Sequence, residues 1–229
     1  MIAIIPARSG SKGLKNKNLK LINGIPLVAY PILAAKKAKL IKRIVLSTDS
    51  KKIAKIGKKY GAEVPFLRPK KLATDNSMVM DTYFYTIEKI NKNEKSNINE
   101  FVVLSPTSPL RTANDIDKAI KIFKKKKADS LISVKAASYP IGWNNVIATN
   151  GKLKPLNSNL DGVDNRQKLK KTFINNGAVF IFKHSLLKKN RKYILKNTYP
   201  YVMSEKSSID IDNELDFQIA KMLIEKNKK

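Results

Sequence analysis

The chain has no cysteine, one histidine and one tryptophan, and its 18 acidic residues stand against 46 lysines and arginines. Without cysteine there are no disulfides, no thiol nucleophile and no thiolate zinc site. The single histidine, His184, removes the main residue type of the Ser-His-Asp template and of histidine-ligated metal centres. It sits between FIFK and SLLKK, where a strand pattern gives way to a helical one, and reads as a surface or capping residue. No apolar run approaches the ~20 residues that a membrane-spanning helix needs. Ile2–Ile5 is followed at once by charge, so no signal peptide is expected and the cytoplasm is the expected location. The dinucleotide fingerprint G-x-G-x-x-G and the Walker pattern are both missing. The chemistry that remains is run by lysine, arginine, carboxylates and a hard metal ion.

What is present is an ordinary globular composition, 42% hydrophobic over 229 residues, enough for one domain with a real core. The formal charge of +28 admits two readings. One is a surface for nucleic acid, since phosphate backbones reward Lys and Arg. The other is lysine coating solvated helix faces. The stretch KAIKIFKKKK (118–127) alternates apolar and basic residues as an amphipathic helix does. No zinc-finger, RNP or helix-turn-helix signature accompanies the charge, so no specific nucleic acid is expected as a partner.

Short β-rich runs recur at Ile2–Ile5, Ile44–Leu46, Phe101–Leu104, Leu131–Val134 and Ala178–Phe182. Helical patterns lie between the first four, at about 26–39, 51–60, 79–92 and 114–127. This alternation predicts βαβ units and a mostly parallel sheet. Pro26 suits a first helical residue, and Pro31, inside the same pattern, predicts a kink. Residues 136–175, punctuated by Pro140, Gly142, Gly151, Pro155 and Gly162, read as an antiparallel excursion serving as a dimerisation or lid element. A final helix is expected at about 213–226, with Leu215, Ile219, Met222 and Leu223 on one face.

Two stretches carry chemistry. After the first strand, ARSGSKG (7–13) combines small residues (Ala7, Ser9, Gly10, Ser11, Gly13) with Arg8 and Lys12. At the carboxyl end of a parallel strand this is a cradle for polyphosphate, with backbone N–H groups free to approach an anion. The bland alternative is a solvated basic turn. Near the other end, SSIDIDNELDF (207–217) places four acids within seven residues. Strict alternation over Ser208–Asp212 puts Asp210 and Asp212 on one side, where two carboxylates can share Mg²⁺ with a substrate phosphate. Glu214 and Asp216 fall in the first turn of the last helix, which Asn213 can cap.

With these residues assembled, the sequence resembles the acylneuraminate cytidylyltransferases, or CMP-sialic acid synthetases. The likeness runs through IIPARSGSKGLKNKN (4–18), IVLSTDS (44–50), GAEVPFLRPKKLATD (61–75), PTSPLR (106–111), Arg166–Gln167, Asn176 with GAVFIF (177–182) and SSIDIDNELD (207–216). The RSGSKG stretch alone also suits neighbouring sugar nucleotidyltransferases, CMP-Kdo synthetase first among them. The resemblance implies a Rossmann-like nucleotide-diphospho-sugar transferase fold, a homodimer joined through the excursion, and a Mg²⁺-dependent reaction of CTP with a nine-carbon keto-sugar acid. It implies that Arg8 and Lys12 hold the triphosphate, that Asn18 and Arg68 serve the cytidine site, and that Asp210 and Asp212 bind magnesium. Arg166, Gln167 and Asn176 would belong to the sugar pocket. Neuraminate-type members often carry Gln, Arg and Tyr where this chain has Ser105, Ile174 and Phe180. These three departures remove polar reach, and they point from neuraminate toward a diacetamido relative such as legionaminic acid. Tyr139 and Trp143 are further apolar candidates.

Overall fold

A computed structural model describes residues 1–10, 13–140, 143–156 and 170–226. In chain order, β1 (Ile2–Pro6) leads to a small ribbon of β2 (Leu21–Ile22) and β3 (Ile25–Pro26), then α1 (Ala29–Lys37), β4 (Arg43–Ser47) and α2 (Lys51–Tyr60). There follow α3 (Val79–Glu94), β5 (Glu100–Leu104), α4 (Ala113–Lys125) and β6 (Ser130–Ala136). The hairpin of β7 (Asn145–Ile147) and β8 (Leu153–Pro155) precedes β9 (Phe173–Lys183), α5 (His184–Asn190), β10 (Thr198–Val202) and α6 (Glu214–Lys226).

The main sheet runs β10-β6-β9-β5-β1-β4. β1 pairs in parallel with β4 and β5, and β10 with β6, whereas β9 is antiparallel to both its neighbours. The central strands are buried on both faces, which is why they read as continuous apolar runs. Side chains of α1, α2 and α4 cover one face, including Ile32, Ile53, Ile120 and Phe123. Those of α3 and α5, including Phe84, Ile87 and Leu187, cover the other.

Local signals set several boundaries. Ser50 caps α2 by accepting from the Ile53 N–H (3.3 Å), and Gly61 ends it at φ 102°. Thr112 and Asp115 form a reciprocal capping box on α4.

The structure corrects other expectations. Pro26 is not a first helical residue, because it pairs with Leu21 in the β2–β3 ribbon. Helix α1 starts three residues later, so Pro31 falls in its first turn, where N–H groups have no intrahelical acceptor, and the helix runs unbroken to Lys37. On α6 the buried face is Phe217 and Ala220, while Leu215 and Met222 are exposed. β10 went unmarked because Pro200 lies within it, which an edge strand tolerates. The excursion is antiparallel, as the β7–β8 hairpin.

A third apolar cluster decides where the site lies. Leu14, Ile22 and Leu27, from the chain after β1, pack with Ile211, Phe217 and Ala220 near the C-terminus. Burying a side chain such as Ile211 or Phe217 stabilises by roughly 1.5–3 kcal/mol. The two ends of the chain are thereby held together over the carboxyl ends of β1 and β5.

Candidate active site

A cavity of about 700 Å³ opens at these strand ends. The loop after β1 contributes Arg8, Gly10, Gly13, Lys17 and Asn18 to its wall. Arg68, Thr74 and Asp75 come from the segment before α3; Thr82 and Tyr83 from α3 itself; Ser105 and Thr107 from the end of β5; and Gly177 and Phe180 from β9. Tyr193 and Asp212 complete it.

The basic loop is pinned from several sides. The Ala7 N–H donates to the Ser47 carbonyl (3.0 Å), and the Asn18 amide donates to the Arg8 carbonyl (2.9 Å). Ala7 is buried and acts through its backbone, while Asn18 is itself held at the 3-10 turn Lys17–Leu19. The Arg8 guanidinium faces the Asp75 carboxylate at 2.7 Å. Gly13 is a steric requirement, since a Cβ there would fall on the carbonyl oxygen of Asp212. Ser11 and Lys12 lie outside the described residues.

Arg68 is the most constrained cation of the wall. Its backbone N–H donates to the Thr48 carbonyl (2.8 Å) and its Nη1 to Thr82 Oγ1 (2.9 Å), yet Nε and Nη2 have no hydrogen-bond partner. The residue is 5% exposed. Burial holds its pKa below the usual arginine range, Asp49 opposes the shift and Arg8 adds to it. A buried guanidinium with two nitrogens outside any hydrogen bond, on a cavity wall, can take an acceptor-rich ligand.

Beside the basic loop, Asp210 and Asp212 flank buried Ile211, as the alternation predicts. They are unlike in environment: Asp212 is exposed on the wall, while Asp210 lies behind Gly177, within 3.3 Å of where a Cβ of that residue would be. Gly177 adopts φ 71°, which suits glycine. Asp210 Oδ1 is buried without a partner. Burial raises its pKa, a hydrogen bond from Thr107 opposes this, and Asp212 and Asp216 add to it. Lys17 Nζ donates to the Ile211 carbonyl (2.6 Å) and to Asp212 Oδ1 (3.2 Å). An orphaned carboxylate oxygen beside a second carboxylate fits a hard cation such as Mg²⁺. Among the described residues no three metal-ligating side chains cluster, so such an ion would draw its other ligands from substrate phosphate and water.

Part of the wall is aromatic. Phe180 stacks on Tyr193 at 5.7 Å, and Tyr193 hydrogen-bonds Tyr83. Ser105 Oγ is 2.8 Å from Thr107 Oγ1. Of the three departures noted above, Ser105 and Phe180 line the cavity, whereas Ile174 is half exposed on β9 beside Lys135 and takes no part in it. Asn176 does not reach the cavity either. It is buried, its Nδ2 donates to Ser208 Oγ (2.8 Å) and its Oδ1 accepts from Ser133, so it props up Gly177 from behind. Tyr139 and Trp143 are exposed and off this wall. Arg166 and Gln167 lie outside the described residues. His184 packs on Phe84 (5.9 Å) away from the cavity. Sequence reasoning missed Asp75, Tyr83 and Tyr193, which no spacing distinguishes from core or loop residues. Lys17 stood within the quoted basic stretch without a role.

A cationic cavity at the carboxyl ends of parallel strands, with carboxylates on its wall, defines a nucleotide-handling α/β protein. The chain belongs to the cytidylyltransferase family, whose model matches residues 2–228. It is 37% identical to the post-translational flagellin modification protein B of Campylobacter coli, over 99% of this chain and 96% of that one. It is 36% identical to a CMP-N,N'-diacetyllegionaminic acid synthase of Legionella pneumophila, over 99% and 97%. Its fold matches that of CMP:2-keto-3-deoxy-manno-octonic acid synthetase complexed with CTP, with a TM-score of 0.71 over 99% of this chain and 98% of that one, at 12% identity.

Proposed function

We propose that the protein transfers CMP from CTP to the anomeric hydroxyl of a sialic-acid-like nonulosonic acid, releasing pyrophosphate. One observation carries the reading: one cavity brings together buried, under-satisfied Arg68, the basic loop and Asp212, with the orphaned oxygen of Asp210 behind Gly177 of its wall. Cations suit the triphosphate and a carboxylate pair suits its counter-ion, so the two kinds of charge match the two parts of a metal–nucleotide complex.

In this reading Arg8, Lys12 and the loop amides hold the triphosphate, Asn18 keeps the loop in shape, and Arg68 serves the cytidine. The sugar oxygen attacks the α-phosphorus, the bond to the β-phosphate oxygen breaks, and the hydroxyl proton leaves to solvent or to one of the two aspartates. The residues around the cavity supply position and charge stabilisation. Asp210 and Asp212 would hold Mg²⁺, which when bound neutralises phosphate charge and steadies the leaving group.

The sugar is best read as a diacetamido acid of the legionaminic type. Phe180 and Tyr193 line the cavity with aromatic carbon, which suits acetamido methyls, and Ser105 reaches less far than glutamine. Hydroxyls buried against such walls lose hydration at about 1–3 kcal/mol each. Arg166 and Gln167 belong to this pocket by resemblance. The exposed apolar residues of the excursion, Trp143, Val146, Ile147 and Leu153, support a homodimer formed there. No helix among the described residues is long and apolar enough to cross a membrane. A reaction drawing on CTP fits the cytoplasm. Pyrophosphate release measured with each nucleoside triphosphate and a panel of nonulosonic acids tests the whole reading. Release only with CTP and such an acid is expected, and turnover indifferent to the base would overturn it.

A further inference from the structure

Acids are scarce in this chain, and one of them stands where an anion-binding loop should make it costly. Asp49 follows β4 in the stretch IVLSTDS. Its Oδ1 accepts from the Ser9 backbone N–H (2.9 Å) and its Oδ2 from the Ser9 hydroxyl (2.6 Å). Its Oδ1 also lies 3.8 Å from Arg68 Nη2, and the side chain is 10% exposed. Asp49 has no local task that explains this. The N-terminus of α2 is capped by Ser50, and the Ser50 N–H donates to Thr48 Oγ1 (3.2 Å), so the Asp49 carboxylate is not needed for the turn.

Its contacts join two parts of the cavity wall, which meet elsewhere at the Arg8–Asp75 ion pair. Ser9 lies between Arg8 and Gly10, and all three precede the carbonyl-crowded Gly13. Arg68 arrives from the far side of β4. Arg8 and Arg68 repel each other, and Asp49 is the carboxylate that offsets this at Arg68. The Asp49 carboxylate is behind the wall and does not line the cavity.

We infer that Asp49 is a positioning residue for the nucleotide: its carboxylate holds the Ser9 loop beside the Arg68 guanidinium, so that loop and guanidinium meet the triphosphate and the cytidine of one CTP in register. The inference rests on the CTP reading above. A carboxylate is required for its charge: an amide could keep both Ser9 contacts, since the Ser9 hydroxyl can turn to accept, but it would leave Arg68 and Arg8 without the negative charge between them.

The test compares wild type, Asp49→Asn and Ser9→Ala. CTP affinity is measured by calorimetry in the presence of Mg²⁺, and KM for each substrate is measured separately. Asp49→Asn is expected to weaken CTP binding at least about tenfold while KM for the sugar acid stays near wild type. Ser9→Ala, at an exposed position that folding tolerates, should weaken CTP binding by about threefold. A merely structural role would raise both KM values together or lower kcat alone, and either result overturns the inference. So does wild-type CTP affinity in folded Asp49→Asn, or in Ser9→Ala should Asp49→Asn not fold. Wild type that binds no CTP at all would overturn the cytidylyl-transfer reading and this inference with it, which separates that failure from a failure of Asp49 alone.

Discussion

Gly13 and Asp212 touch: the Cα of the one lies against the backbone carbonyl of the other, with no room for a side chain between them. They come from opposite ends of the chain and meet because Leu14 and Ile211, their immediate neighbours, share one apolar cluster. The basic loop and the carboxylate segment are therefore packed together. Replacing Gly13 by alanine should separate them. Displacements of this order cost about 10²-fold in turnover, and forced overpacking costs about 1–3 kcal/mol of stability. Gly13→Ala with wild-type turnover would show that the contact does not hold the site together.

Asp210 and Asn213 are close in sequence and should behave oppositely on substitution. Asp210→Asn removes a buried, unpaired charge while keeping shape, so the ligand-free protein should melt at the same temperature or higher, yet lose Mg²⁺-dependent turnover. Asn213 caps α6, its Oδ1 accepting from the Asp216 N–H (3.0 Å) and its own N–H donating to Asp216 Oδ2 (3.1 Å). Asn213→Ala should cost about 1 kcal/mol of stability with turnover little changed. Melting curves and rates on both variants check the pair, and the reverse pattern would refute the assignment.

Arg8 and Lys12 should each matter to turnover by at least about tenfold, because charge-assisted contacts to phosphate contribute about 1.5–3 kcal/mol. Arg8→Ala and Lys12→Ala are the measurements. Near-wild-type rates for both folded variants would leave the basic loop as a solvated turn.

His184 is the only histidine, so its ring resonance can be followed without assignment. Burial against Phe84 lowers its pKa, Glu88 opposes this and Lys188 adds to it. The unfolded chain takes up this proton near pH 6.5, the folded chain only at lower pH. Between those values the unfolded state binds more protons, so this group's contribution to stability falls as pH drops through the window. An NMR titration midpoint below 6.5 is expected. A midpoint at or above it would mean that Glu88 outweighs burial.

The sugar preference is open to direct competition. With CTP and equal amounts of N-acetylneuraminate and legionaminate, CMP-legionaminate should predominate, by no more than about 10²-fold, since apolar pockets reject an added hydroxyl weakly. A mixture dominated by CMP-neuraminate would show that Phe180 and Ser105 do not set the choice.

Much of this was legible in the chain as written. Continuous apolar runs marked β1, β4, β5 and β6, because strands covered on both faces have no polar side to alternate. The helical pattern at about 51–60 coincides with α2, whose ends Ser50 and Gly61 fix by local hydrogen bonding and backbone freedom. The basic loop and the aspartate pair stood out because residue type and spacing over a few positions carry their chemistry.

What the tertiary structure decided was everything that depends on which distant surfaces meet. The buried face of α6 turned on Phe217 finding Leu14 and Ile22, which no helical pattern within α6 records. The unlike environments of Asp210 and Asp212, identical by spacing, followed from Gly177 and Thr107 closing over one of them. Ile174 and Asn176 lay on the same strand as Phe180 yet left the cavity, because β9 is held at both edges and only part of it faces the site. Local sequence sets backbone preference and side-chain chemistry; burial and pairing energies are summed over contacts far apart in the chain, and those exist only once it has folded.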